Sequence, residues 1–257
     1  MFVVFAAAAV AWSLLVIVAV FTRRRRALLA GSAVAVVAAI ASIATDVRAL
    51  QLARGAQASG ITIRIVPQDS WWKLEYAQDG TSVVTANELH VPIGTAVTLT
   101  WSGLPPPWIG GAVCAPRGDD RCVLVANSAD AATFIGIWPP MWRHLPVVAE
   151  PPARFEAWLR NEALPARTAD AALFTSAGCA YCHVIRGASM AATEVAPDLT
   201  HFASRRTIAA TRFPNRRGFL AGWIVHSSAL KGDSGMPDNR LDPTVLRGVL
   251  DYLESLR

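Results

Sequence analysis

Charge is scarce in this sequence. Asp, Glu, Lys and Arg make up 17% of the 257 residues, while 53% are hydrophobic. Soluble domains carry about a quarter charged residues, so a chain built only of such domains is not expected. Acidic side chains are missing altogether before Asp46, and the apolar excess is concentrated in that same stretch. Removing it leaves enough chain for two modest domains. The net charge is +5, but four of the cations form the single run Arg23-Arg24-Arg25-Arg26. Set between two apolar stretches, that run reads as membrane topology, and no nucleic-acid partner is expected. Cysteine is limited to four residues. Two share one short motif, which leaves Cys114 and Cys122, an even pair that fits an oxidising compartment.

Phe2 to Thr22 and Ala27 to Thr45 are almost wholly apolar. Each is close to the ~20 residues that cross a hydrocarbon core as a helix. A cleaved signal peptide fits poorly, because no positive segment precedes Phe2, the first run is long and a second run follows. The expectation is a two-helix transmembrane hairpin over residues 1–48, in a multi-pass protein of the bacterial inner membrane. Arginine is retained on the cytoplasmic side, so everything after Asp46 is expected on the periplasmic or outer face. Asp46 to Gly60 reads as a connector.

From Ile61 the pattern changes. ITIRIV alternates apolar and polar residues, and WWKLEY, ELHVPIG and TAVTLTW follow, separated by QDG and PIG turns. Such short alternating runs predict an all-β region, a sandwich of several strands. Ala166 to Arg257 returns to helical patterning.

The hairpin, then DSWWKLEY, TANELHVPIG and VVAEPPARFEAWL, resemble subunit II of the haem-copper oxidases. The resemblance implies a cupredoxin-like β domain over 60–160 and, in the family, a dinuclear copper centre. The family's copper motif has the form C-x3-C-x3-H-x2-M shortly before E-P-P. Counted back from Glu150, its ligands fall on Ala132, Gly136, Pro140 and Arg143, and the upstream His falls near Pro105 to Trp108. None of these side chains supplies a thiolate, imidazole or thioether donor, so no dinuclear copper is expected. Cys114 and Cys122, separated by the seven residues APRGDDR, read as a disulfide closing a loop or as part of an unrelated metal site. Trp71 and Trp72 match an aromatic segment on the family's electron path. The plainer reading gives one to the core and one to an interface.

The C-terminal region holds Cys179-Ala180-Tyr181-Cys182-His183, the C-x-x-C-H haem-attachment signature. Thiols at that spacing reach two vinyl groups of one haem, and the following His lies under the iron. Zinc is the competing reading. It needs more ligands than His201 and His226 offer without a second Cys pair. The sixth ligand should lie well downstream, where Gly235-Met236-Pro237 precedes a last helix, Pro243 to Leu256. Met236 could instead fill a core gap, but the polar KGDSG before it argues for the axial role. A His/Met pair suits an electron carrier rather than an oxygen binder.

CAYCHVIRGA, APDLTHFASRRTIAA, GFLAGWI and LDYLESL resemble an all-α class I cytochrome c domain, here over 166–257, of the kind fused to subunit II in some bacterial oxidases. The resemblance implies that the Pro197 carbonyl accepts from His183. It also sets Trp223 near a haem propionate, where core packing is an equal reading. Arg205, Arg206, Arg212, Arg216 and Arg217 form a basic stretch that reads first as a solvated surface, with contact to haem propionates, an acidic donor or subunit I as the alternatives. The function implied is electron input to a cytochrome c oxidase complex. One covalent haem c would receive electrons from cytochrome c and pass them towards subunit I, which reduces oxygen, with subunit III as a further partner. A nitric oxide reductase of the same superfamily and a stand-alone cytochrome carrier are the alternatives.

Overall fold

The computed structural model describes residues 32, 34–37, 39–40, 60–101, 108–109, 113–116, 120–126, 133–136, 145–167, 171–189 and 195–257. The chain divides into two compact units, Met1–Ala56 and Gln57–Arg257.

The first unit requires a correction. Its described residues, between Ser32 and Ile40, are helical. Among the described residues no helix is long and apolar enough to cross a membrane. This overturns the two-helix transmembrane hairpin over 1–48, and with it the multi-pass inner-membrane placement. The rest of that stretch lies outside the described residues.

In the second unit the alternating runs are strands. β1 (Thr62–Pro67) pairs antiparallel with β2 (Trp72–Gln78), and β2 with β3 (Thr81–Ala86). The pleat puts Ile63, Ile65, Trp72, Leu74 and Tyr76 inside. It turns Arg64, Lys73 and Glu75 outward, where Glu75 pairs with Arg64 at 2.9 Å and Lys73 at 3.1 Å. Asp79 and Gly80, both at positive φ, make the two-residue turn between β2 and β3. β4 (Leu89–Pro92), β5 (Ala96–Trp101), β6 (Trp108–Ile109), β7 (Val113–Pro116), β8 (Arg121–Val125), β9 (Thr133–Gly136) and β10 (Leu145–Glu150) complete two sheets. Their orders are β3-β2-β1-β5-β8-β7 and β4-β10-β9-β6. One apolar core joins both sheets to Phe155 and Leu159 of α1 (Pro152–Ala163). Cys122 is disulfide-bonded. The side chain of Cys114 lies outside the described residues, as do Ala132, Pro140 and Arg143 of the expected copper positions.

The C-terminal region is built from α2 (Ala172–Ser176), α3 (Arg217–Val225), α4 (Ser227–Leu230) and α5 (Pro243–Ser255). It is not purely helical, because β11 (Thr207–Ile208) and β12 (Phe213–Pro214) form a short antiparallel pair. Helix α5 begins where Asp242 accepts from the Thr244 amide at 2.7 Å and Pro243 takes the first turn. Gly248 lets α2 approach closely, since a Cβ there would lie 2.4 Å from Leu173 Cδ1.

A buried polar cluster ties α1 to the sheets. His90 stacks on Trp158 at 4.1 Å and sits between Glu150, at 3.2 Å, and Glu88, at 3.9 Å. Burial alone would push His90 down, but its hydrogen bonds and charge attraction to Glu150 and Glu88 outweigh it and hold it above its usual value. The bond to His90 holds Glu150 below the carboxylate range. Burial would raise Glu88, yet His90 and the Arg206 and Thr207 donors bring it below that range too.

The sign of the linkage follows. The His90 contribution is complete below its unfolded value of about 6.5 and is lost as pH rises through the higher folded value. The carboxylate contributions are present above about 4.3 and are lost as pH falls through the lower folded values. The stabilisation by this cluster is therefore greatest between about pH 4.5 and 6.5. Denaturant titrations of wild type and His90→Gln across pH 4 to 9 should differ most in that window and converge above it. A difference that grows with rising pH would contradict the assignment.

Candidate functional site

Residues 179–183 leave α2 through Gly178 at positive φ, and Cys179–Tyr181 form a short 3-10 turn. The turn brings Cys179 and Cys182 to one cavity together with His183. Both thiols are free, and burial raises that of Cys179. The cavity measures about 440 Å³, within the range of cofactor sites. Met236, Pro197 and Trp223 line the same space, so the structure brings together every residue singled out in the sequence for this site.

His183 Nδ1 lies 2.8 Å from the Pro197 carbonyl. A carbonyl only accepts, so the neutral ring carries its proton on Nδ1 and leaves Nε2 bare for a metal. Burial lowers the His183 value, against the opposing pull of the Pro197 bond, which favours that neutral ring. The turn carrying the Pro197 carbonyl is itself fixed. The Asp198 carboxylate accepts from the Thr200 amide at 2.7 Å and the Thr200 hydroxyl at 2.5 Å. Thr200 Oγ1 accepts from the Arg186 amide at 2.9 Å, and Leu199 N donates to the Val184 carbonyl at 2.8 Å. These bonds lock residues 184–186 to 198–200 and aim one carbonyl at one imidazole.

The Met236 segment is anchored in a similar way. Its carbonyl accepts from Ser227 Oγ at 2.6 Å and its amide donates to Ser234 Oγ at 3.1 Å. Asp238 accepts from the Ser228 amide at 2.9 Å and the Ser228 hydroxyl at 2.7 Å. Arg205 is not part of a solvated basic surface, and that expectation is corrected. It lines the cavity and donates to the Asp198 carbonyl, and burial pulls its value down. Arg217 does face solvent, paired with Asp251 and Glu254.

Sequence reasoning did not place the β strands at this cavity, yet Ser70, Trp71 and Asn87 form part of its wall. Trp72, 1% exposed, fills the β core, whereas Trp71, 7% exposed, donates from Nε1 to the Val195 carbonyl at 3.2 Å. Trp71 is the residue just before β2, and continuing the strand's alternation back to it assigns the two indoles to opposite faces. Only the pairing over 124 residues reveals what the outer one meets.

The donors present fit a covalently attached haem. Two free thiols three residues apart, a neutral imidazole and a thioether share one cavity, with a guanidinium on its wall. Thr200→Val strands the Arg186 amide and removes one of the donors to the Asp198 carboxylate, which keeps the residue-200 amide and the Arg186 guanidinium. It should cost about 2 kcal/mol in denaturant unfolding of the haem-loaded protein. A loss below about 0.5 kcal/mol would contradict the role given to this turn.

Residues 170–257, about a third of the chain, match the family model described as Cytochrome c. No curated protein matches the chain. The geometry and the family match agree: the C-terminal region is a cytochrome c domain, which implies covalent haem c, and it follows a β-rich domain.

Proposed function

We propose that this chain is the electron-input subunit of a bacterial haem-copper terminal oxidase, taking electrons from cytochrome c and delivering them to subunit I for reduction of oxygen to water. The observation that carries the reading is the single cavity shared by Cys179, Cys182, His183 and Met236. A haem c bound there supplies a one-electron couple. His183 and Met236 together would fill both axial positions, leaving none for oxygen, so the chain serves transfer rather than oxygen chemistry. The Pro197 carbonyl orients the imidazole, and Ser227 and Ser234 hold the methionine segment.

The oxidase assignment is supported by TANELHVPIG and VVAEPPARFEAWL, which lie on β3 to β4 and on β10 to α1. Those phrases meet in one place, because β4 pairs with β10 and His90 contacts Glu150. We further propose that this haem is the sole redox centre of the chain. Subunits I and III are the proposed partners, with subunit I supplying the catalytic site.

Metal and haem analysis of the complex purified from its host should find one iron per chain of this sequence as haem c and no copper assignable to it. Reduced cytochrome c should support oxygen consumption. Two coppers per chain would contradict the sole-centre proposal. Nitric oxide consumption without oxygen consumption would move the assignment to a nitric oxide reductase, and purification without a haem-bearing catalytic subunit would leave a stand-alone carrier. Met236→Ala should keep the covalent haem and lower its potential by on the order of 0.1 V or more, within the ~0.8 V span that axial ligands command. An unchanged potential would remove Met236 from the ligand set.

A further inference from the structure

Among the described residues the β domain supplies no thiol, imidazole or thioether to the cavity, yet it touches both segments that frame it. The loop between β1 and β2, Gln68–Trp71, lies along the cavity wall. Lys231 Nζ donates to the Ser70 carbonyl at 2.5 Å, and Lys231 opens the KGDSGM run that ends in the axial methionine. Next to Met236, Gly235 faces the same loop, and a Cβ on it would lie 4.0 Å from Ser70 Oγ. On the other segment, Trp71 Nε1 donates to the Val195 carbonyl, two residues before Pro197. Val195 is otherwise 63% exposed. One short loop thus grips the segment that carries Met236 and the segment that orients His183.

We propose that the Ser70–Trp71 loop is a positioning element for the axial methionine, so that retention of Met236 on the iron depends on a loop outside the cytochrome c domain. The inference rests on the reading of the cavity as the haem site. A methionine on a polar loop stays bound only while the loop is held, because the thioether is a weak, neutral donor and local opening is drawn from the least stable segments. The internal anchors of the loop, Ser227 and Ser234, fix its shape. The contact through Lys231 fixes its distance from the other wall. The ammonium bond to a carbonyl is charge-assisted and only 15% of the Lys231 side chain is exposed, so removing it leaves that carbonyl short of a donor.

The test compares haem-loaded wild type with Trp71→Phe, Lys231→Met and the double variant. The readouts are the sulfur-to-iron charge-transfer band of the ferric protein and its affinity for added imidazole, a ligand that binds only where methionine yields. The double variant should bind imidazole at least tenfold more tightly and lose charge-transfer intensity, with the covalent haem and the far-ultraviolet circular dichroism unchanged. Trp71→Phe keeps a full-sized ring and should show a smaller shift in the same direction. Asp233→Asn neutralises the ion-pair partner of Lys231 while leaving Lys231 itself in place and should change neither readout. Wild-type imidazole affinity and band intensity in the folded double variant would overturn the proposal. So would an equal effect from Glu88→Gln, which loosens the same pair of domains at Thr207, away from the methionine segment. A wild-type protein that takes up no haem would instead sink the reading of the cavity itself.

Discussion

Glu88 is a carboxylate buried at the end of a β-domain turn, and its hydrogen bonds come largely from the other half of the unit. Its oxygens accept from the Arg206 amide at 2.9 Å, the Thr207 amide at 2.7 Å and the Thr207 hydroxyl at 2.8 Å. An ionised carboxylate away from water is tolerated only when it is satisfied this fully. The two folds cannot part without stranding it. Thr207 and Asn87, the neighbour of Glu88, both line the haem cavity, so the bond that joins the folds also sets one wall of the site. Behind Glu88 stand His90 and Glu150, and behind them Trp158 of α1. The anchorage therefore runs from the functional cavity into the β core without a break.

The same economy governs the ligand side of the cavity. A proximal imidazole has to be neutral and correctly turned, and burial together with the Pro197 carbonyl achieves both for His183. Arg205 brings the opposite problem, a cation held at a desolvated wall, with Glu162, Asp198 and Glu88 supporting its charge. A haem carries propionates, and a cavity that keeps a guanidinium at its wall suits such an anionic cofactor.

What the sequence disclosed follows from how far apart the cooperating residues lie. Cys179, Cys182 and His183 were legible because their chemistry is contiguous. Met236 was legible because few methionines exist and its neighbours are polar. Period-2 alternation made ITIRIV legible as a strand, and the structure buries Ile63 and Ile65 on one of its faces. Hydropathy over residues 1–48 misled, since apolar runs there do not appear as a membrane-length helix among the described residues. Arg205 was misread as surface because composition does not tell which member of an arginine-rich stretch turns inward. Ser70 and Trp71 were invisible as cavity residues, because their partners Lys231 and Val195 lie 161 and 124 residues away. Long-range contacts of that kind have no local signature.

On the proposed reading a single haem c is held by Cys179, Cys182, His183 and Met236 in a cavity walled by both folds. Crystallography of the haem-loaded protein at the iron absorption edge tests it most directly. The account predicts one iron peak between His183 Nε2 and Met236 Sδ, thioether density to Cys179 and Cys182, and the Ser70–Trp71 loop against the macrocycle. Iron bound by any other side chain in place of Met236, or a haem whose edges touch no β-domain residue, would contradict it.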